Sequence, residues 1–450
     1  MRYRILLSLI FVGLLLSQIA CKKAAPGGGD GKETVIRMWV MPNSAQPVQD
    51  LQELLIPFEQ QHPGIKVEVT SIDWGSAKDK LNSAAISGVG PDITQIGTTW
   101  VGLVSATGAL EPLSPAQVAE VGGAAAYLPA AWNTAGVEGS GSIHSIPWFV
   151  DARVLYYRSD VFEKLKLGPA DIADWKSFKE TLTRIKKARL VMYDQVVEPL
   201  GSPGSNDWNI LHNMAPWIWA FGGDLFDQSR SQAIFNQPAA VAGVNYFLSL
   251  ALEGYIPKYC LELNTAQVAA KFNEGAFAMY FDTPAQVRNL ELPIEKGGAA
   301  GTVAARNYSI ALYPAGPAGQ YTFFGGSNLA IFKASKNKDA AWELIKYLNS
   351  QQAQVAYAKA TGFVPARVDA FADPYFKDHP KRKVFIDAVK KGRSYPAVSS
   401  IGAAEPGLMR HFGNLWAQVS GTFGPRQSLD VQKELDQAVA ELNIIISESQ

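Results

Sequence analysis

Between residues 34 and 71 a strand, a helix and a second strand follow one another, and this unit restricts the fold more than any other stretch. TVIRMWV at 34–40 is rich in residues that suit a pleated, half-buried surface. Met41-Pro42-Asn43-Ser44 stops it, and Pro47 stands where a helix can begin. Val48, Leu51, Leu54, Leu55 and Phe58 then fall on one helical face, which His62-Pro63-Gly64 ends. Ile65, Val67 and Val69 alternate with polar residues as a second strand. A short-linked unit of this kind crosses over right-handed and lays its strands parallel.

The pattern continues with a helix at 77–87, a turn at Gly88-Val89-Gly90-Pro91 and a buried strand at 92–96. Further strands are predicted at 144–148, 153–158, 277–281 and 328–332. Helices are predicted at 175–187, 238–253, 265–274, 338–350 and 429–446. In the last of these Val431, Leu435, Ala438 and Leu442 form one stripe. Mixed order over this length implies an α/β architecture with open, twisted sheets. The 450 residues suffice for two domains. They can also bury a core without covalent staples, and Cys21 and Cys260 offer no disulfide framework.

The N-terminus has the layout of a secretory signal: Arg2 and Arg4, then an apolar run over 5–16 broken only by Ser8 and Gly13. That run falls short of the ~20 residues needed to span a bilayer. Cys21, preceded by Ala20, stands where a bacterial lipoprotein signal is cut, although Gln18 occupies a place usually held by Leu. KKAAPGGGDGK follows, with the composition of a flexible tether. The expectation is a signal peptide at 1–20 and a lipid anchor and tether at 21–32, with Cys21 lipidated. The chain would then lie outside the cytoplasm, touching the bacterial membrane only through its lipid. An ordinary signal peptide that happens to contain a cysteine is the plainer alternative.

Several function classes lack support. Equal numbers of basic and acidic residues, 41 each, give no bias toward nucleic acid. The histidines at 62, 144, 212, 379 and 411 are scattered without metal-ligand spacing, so no metal site is expected. No G-x-S-x-G elbow, P-loop or strand-following G-x-G-x-x-G occurs, so neither a catalytic residue nor a cofactor is assigned.

Five segments, in order, carry a resemblance: KVEVTSIDW with the strand and helix before it, GVGPDITQIGTTWVGLVSATGALEPLS, IPWFVDARVLYYRSDVFEKL, KFNEGAFAMYFDTPAQV, and the long stretch from GGSNLAIFKAS to GFVPARVDAF. Together they resemble the extracellular solute-binding proteins of ABC sugar importers, the maltose-binding-like family 1. The resemblance implies a hinged periplasmic-binding-protein fold of two discontinuous α/β lobes, 33–150 with 329–371 and 151–328 with 372–450. Crossings would fall near 150–153, 325–329 and 371. It further implies a monomer, with no enzymatic activity, that holds a sugar, an oligosaccharide by preference, between its lobes and delivers it to permease subunits. The rivals are a secreted carbohydrate-active enzyme and the same receptor with a non-sugar solute.

Sugars need flat apolar faces to stack on and planar polar groups for their hydroxyls. Trp100 lies just after a strand, behind Thr98 and Thr99, and Gly97-Thr98-Thr99 reads as too polar for a buried layer; Thr99 and Trp100 are therefore site candidates. Asn43 after the first strand and Trp74 after the second join them. Asp151 in WFVDAR either accepts sugar hydroxyls, as an ionised acceptor does strongly, or pairs with Arg153. The resemblance places the Gly222-Gly223 motif beside the cleft, so that one of Trp217 and Trp219 stacks on ligand and the other packs. It also places Asp282 and Thr283, after AFAMYF, on a ligand-facing loop. Gly326 in GGS lets backbone approach closely. Arg393 and Tyr395 read as an ordinary surface loop.

Overall fold

The computed structural model describes residues 33–137, 139–204, 207, 209–421 and 429–449. The signal segment, Cys21 and the tether lie outside the described residues. Two sheets organise the rest, each flanked by helices, as the α/β reading requires.

The first sheet runs in the order Val364–Pro365, Ile146–Ala152, Thr322–Ile331, Ile93–Gly97, Thr34–Val40, Ile65–Ser71. Thr34–Val40 pairs in parallel with Ile65–Ser71 on one side and with Ile93–Gly97 on the other. Thr322–Ile331 then runs antiparallel to Ile93–Gly97 and to Ile146–Ala152. Ile36, Met38 and Val40 point inward in strict alternation, whereas every residue of the central strand Ile93–Gly97 is buried, as expected of a strand covered on both faces. The helix Pro47–Gln61 closes one face through Leu51, Leu55 and Phe58, the heart of the stripe read from the sequence.

The second sheet runs Tyr308–Ala311, Val154–Arg158, Phe277–Asp282, Glu198–Gly201. Arg153 alone separates Ile146–Ala152, in the first sheet, from Val154–Arg158, in the second. One continuous extended segment therefore joins the lobes. Thr322–Ile331 starts beside Gly392–Arg393 and ends deep in the first sheet, laying a second extended segment next to that crossing.

Two local departures from the expected elements matter for the site. The second helix begins at Trp74 rather than Ala77, because the Asp73 carboxylate caps it, accepting from the Gly75 N–H at 2.8 Å. Trp74 is thus fixed on a helical first turn and does not ride on a loose loop. A 22-residue helix, Ser399–Ser420, occupies a stretch with no predicted element. Gly402, Pro406 and Gly407 give that stretch the punctuation of a loop. Burial overrides them: Leu408, Phe412, Leu415, Trp416 and Val419 are buried, and the helix packs on Ile210–Ala220, Pro238–Leu252 and Val431–Glu448. No helix among the described residues is long and apolar enough to cross a membrane.

Candidate functional site

A cleft of about 650 Å³ opens between the two sheets, where strand ends from both lobes converge. The first lobe contributes Asn43, Trp74, Thr99 and Trp100; the second contributes Arg153, Asn209, His212, Asp282 and Thr283. Phe149, Asp151, Phe323 and Gly326 enter from the connecting strands.

The first-lobe wall is aromatic and rigid. Trp100 closes a single 3-10 turn, Thr98–Trp100, directly after Ile93–Gly97, and is only 3% exposed. Thr98 is buried as well, so the polarity of the run did not keep it out of the interior. Trp74, 37% exposed, meets Trp100 edge to face. Asn43 lines the cleft, but its side chain is occupied: it donates to Gln95 Oε1 and to the Tyr357 hydroxyl, both at 2.8 Å, and accepts from Gln95 Nε2. Gln95 reaches on to Ser327 at 2.8 Å. This network holds the loop after the first strand against the connecting strand.

The floor is charged. Asp151 has a buried Oδ1 with no hydrogen-bond partner among the described residues. Burial raises its pKa to about 6, opposed by the charge of Arg153 and reinforced by that of Asp282. Asp282, also raised by burial against the pull of Arg153, accepts from the Thr283 N–H at 2.7 Å. Arg153 acts on Asp151 through its charge, while its guanidinium donates to Asn209 and, at 3.3 Å, to Asn213; its buried Nε has no hydrogen-bond partner among the described residues. His212 lies flat on Phe323, with centroids 3.9 Å apart and planes 11° apart. Desolvation, with Arg153 nearby, pushes its pKa well below the usual imidazole range and keeps it neutral. The cleft thus offers flat apolar faces beside carboxylate acceptors and guanidinium and amide donors, with buried atoms left for a ligand to satisfy.

Gly326 lines the cleft with φ +137°. Its missing side chain serves the neighbouring strand first, since a Cβ there would stand 2.3 Å from the Phe149 carbonyl oxygen.

Trp217 and Trp219 require correction, since neither lines this cleft. The helix Ile210–Ala220 is buried on nearly every face. Trp217, fully buried, packs against Phe178, Tyr246 and Phe247. Trp219 donates to Asp224 at 3.2 Å, under the guanidinium of Arg393. The same helix reaches the cleft through His212, with Asn209 just before it. The sequence reading passed over both, together with Phe323, and took Arg153 only as a possible mate for Asp151. Their signal was faint: a polar pair three apart ahead of an apolar run. Tyr395 is likewise buried, beside Phe323 and His212.

Two α/β lobes on extended crossings, with an aromatic and carboxylate-lined cleft between them, define a ligand-binding protein of the hinged two-lobe class. Residues 53–384 match the family model of bacterial extracellular solute-binding proteins, and the chain belongs to that family. It is 25% identical to the diacetylchitobiose-binding protein of Streptomyces coelicolor, over 81% of this chain and 82% of that one. Identity to the mannitol-binding protein of Pseudomonas aeruginosa is 24%, over 83% of each chain. The fold superposes on the sugar-binding protein MalE of Xanthomonas citri with TM-score 0.73 and 25% identity, covering 92% of this chain and 98% of that one.

Proposed function

We propose that this chain captures a carbohydrate in the interlobe cleft and hands it to the permease of an ABC importer, without chemically altering it. The observation that carries this reading is the composition of the cleft: Trp74, Trp100, Phe149 and Phe323 line it with aromatic surface, while Asp151, Asp282 and Arg153 offer acceptors and donors to hydroxyls. Relatives named for binding diacetylchitobiose and mannitol support the same class. An oligosaccharide is preferred because the cleft adjoins a second, polar cavity of about 710 Å³, lined by Asp50, Glu53, Arg288 and Lys296. Asn43, Ser44, Ala285 and Asn289 line both. A ligand that touches both lobes only when they are closed shifts the open–closed equilibrium toward the closed form. We take the site to comprise Asn43, Trp74, Thr99, Trp100, Asp151, Asp282, Thr283 and Gly326, extended by Arg153, Asn209 and His212. The sequence before residue 33 supports a lipid anchor at Cys21, and the lobe limits are those given by the family resemblance.

A thermal-shift screen of the purified protein against mono-, di- and trisaccharides and polyols tests the reading. Ligand at 100 times its dissociation constant stabilises a fold by about 2.7 kcal/mol. A clear shift with one sugar class supports the receptor; no shift with any, from a cooperatively folding sample, moves the assignment to a non-sugar solute.

A second reading, glycoside hydrolysis, has one observation in its favour. Two carboxyls with raised pKa values share the cleft, and glycosidases work with such pairs. New reducing ends that persist through repurification would establish it.

A further inference from the structure

The helix Ser399–Ser420 is rooted in the second lobe through its packing on Ile210–Ala220 and Pro238–Leu252, yet its first turns press on the first lobe. A Cβ on Gly102 would stand 2.7 Å from the carbonyl of Ala397, just before the helix, and a Cβ on Gly402 would stand 2.8 Å from the Cβ of Leu103. The lobes meet here with no room for a side chain.

At this contact the helix is chemically incomplete. Pro406 has no N–H, so the carbonyl of Gly402, four residues earlier, loses its helical donor. Lys78, on the first-lobe helix Trp74–Ser87, supplies one: its ammonium donates to Gly402 O at 3.0 Å and to Glu405 at 2.9 Å. The Lys78 side chain is 13% exposed and that of Glu405 2%. The side chains of Thr99 and Trp100, the turn that forms the aromatic wall of the cleft, stand close enough to the Glu405 carboxylate to favour its charged form. One carboxylate of the second lobe thus ties together a first-lobe cation and the ligand-facing indole.

We propose that Lys78, Glu405 and the Gly402 carbonyl form an interlobe latch that fastens the closed form and, through Glu405, holds Trp100 in its ligand-facing place. The proposal rests on reading the cleft as the ligand site. Parting the lobes pulls Lys78 from two acceptors at once and strips a buried carboxylate of its cation. Removing one partner of such a pair is costly because the other charge stays buried, whereas changing both together is far less so. Glu405 is here a positioning residue, acting on ligand through Trp100.

The test compares wild type with Glu405→Gln, Lys78→Met and the exchanged pair K78E/E405K. Small-angle scattering reads lobe separation without added sugar; stopped-flow tryptophan fluorescence with maltotriose and with diacetylchitobiose reads binding. Both single variants are expected to show a larger radius of gyration. The off-rate is expected to rise on the order of ten-fold with the on-rate unchanged, and the exchanged pair to recover part of the loss. A purely structural role would lower stability without that split between rates. Folded single variants with wild-type radius and off-rate overturn the latch. Should Glu405→Gln fail to fold, Lys78→Met decides. If wild type binds neither sugar, the reading of the cleft is weakened, while equal radii for wild type and Lys78→Met still overturn the latch and unequal radii support it.

Discussion

The indoles of Trp74 and Trp100 meet edge to face, with centroids 5.7 Å apart and planes at 62°, although they come from different crossovers of the first sheet. Trp74 sits on the first turn of a capped helix and Trp100 ends a 3-10 turn. The pair makes an aromatic corner in the wall of the cleft. Such pairs contribute about 0.5–1.5 kcal/mol beyond their burial.

Replacing the two indoles separates recognition from stability. Trp74→Ala, at a half-exposed position, is expected to weaken sugar binding about ten-fold, equivalent to about 1.4 kcal/mol, with the melting temperature near wild type. Trp100→Ala, at a buried position, is expected to weaken binding and also to cost about 3 kcal/mol of stability. Titration calorimetry and thermal melts distinguish the two; wild-type affinity in both variants removes the corner from the site.

Asp151 links the cleft to pH. Its folded-state pKa, about 6, lies above the ordinary carboxyl value because of burial. Its contribution to stability is therefore fully present below the unfolded-state value near 4 and is lost as pH rises through about 6. Ligand affinity runs the other way if the ionised carboxylate is the acceptor, falling as pH drops below 6. Asp151→Asn is expected to flatten both profiles. Urea denaturation and calorimetry between pH 4 and 7 check this, and an unchanged slope in the variant would refute the assignment.

Arg153 opposes the charges of both Asp151 and Asp282. Arg153→Met leaves two recessed carboxyls without their cation and is expected to destabilise the fold by about 3–5 kcal/mol at neutral pH. The loss should shrink toward pH 5, below the value of about 6 at which Asp151 takes up its proton. Denaturation at the two pH values tests it; a pH-independent loss would assign Arg153 a packing role alone.

Gly326 carries a backbone constraint independent of ligand. With φ +137° and a would-be Cβ 2.3 Å from the Phe149 carbonyl oxygen, Gly326→Ala is expected to cost about 3 kcal/mol. Chemical denaturation measures it, and a loss under about 0.5 kcal/mol, the range of neutral surface changes, would show that the strand shifts to accommodate the methyl.

Much of the architecture was legible in the chain because it is encoded by local periodicity. The β-rich run at 34–40, the stripe at Leu51, Leu55 and Phe58 and the alternation at Ile65, Val67 and Val69 marked a parallel strand–helix–strand unit before any long-range contact was known. Asn43, Trp74, Thr99 and Trp100 could be picked as cleft candidates for the same reason, since each follows a strand whose end is set by its pattern; Asp151 and Asp282 owed their place among the candidates to the family resemblance. Tertiary structure decided what periodicity does not carry, namely which buried face abuts which. Two tryptophans of one helix went into the core while His212 of that helix reached the cleft, a choice made by what surrounds the helix. The helix Ser399–Ser420 formed against its own glycines and proline because its apolar side chains found partners on three other helices. Its missing hydrogen bond was supplied by Lys78, separated from Glu405 by 327 positions in sequence. Contacts at that range depend on the whole packed arrangement of both lobes, so no local window of the sequence can specify them.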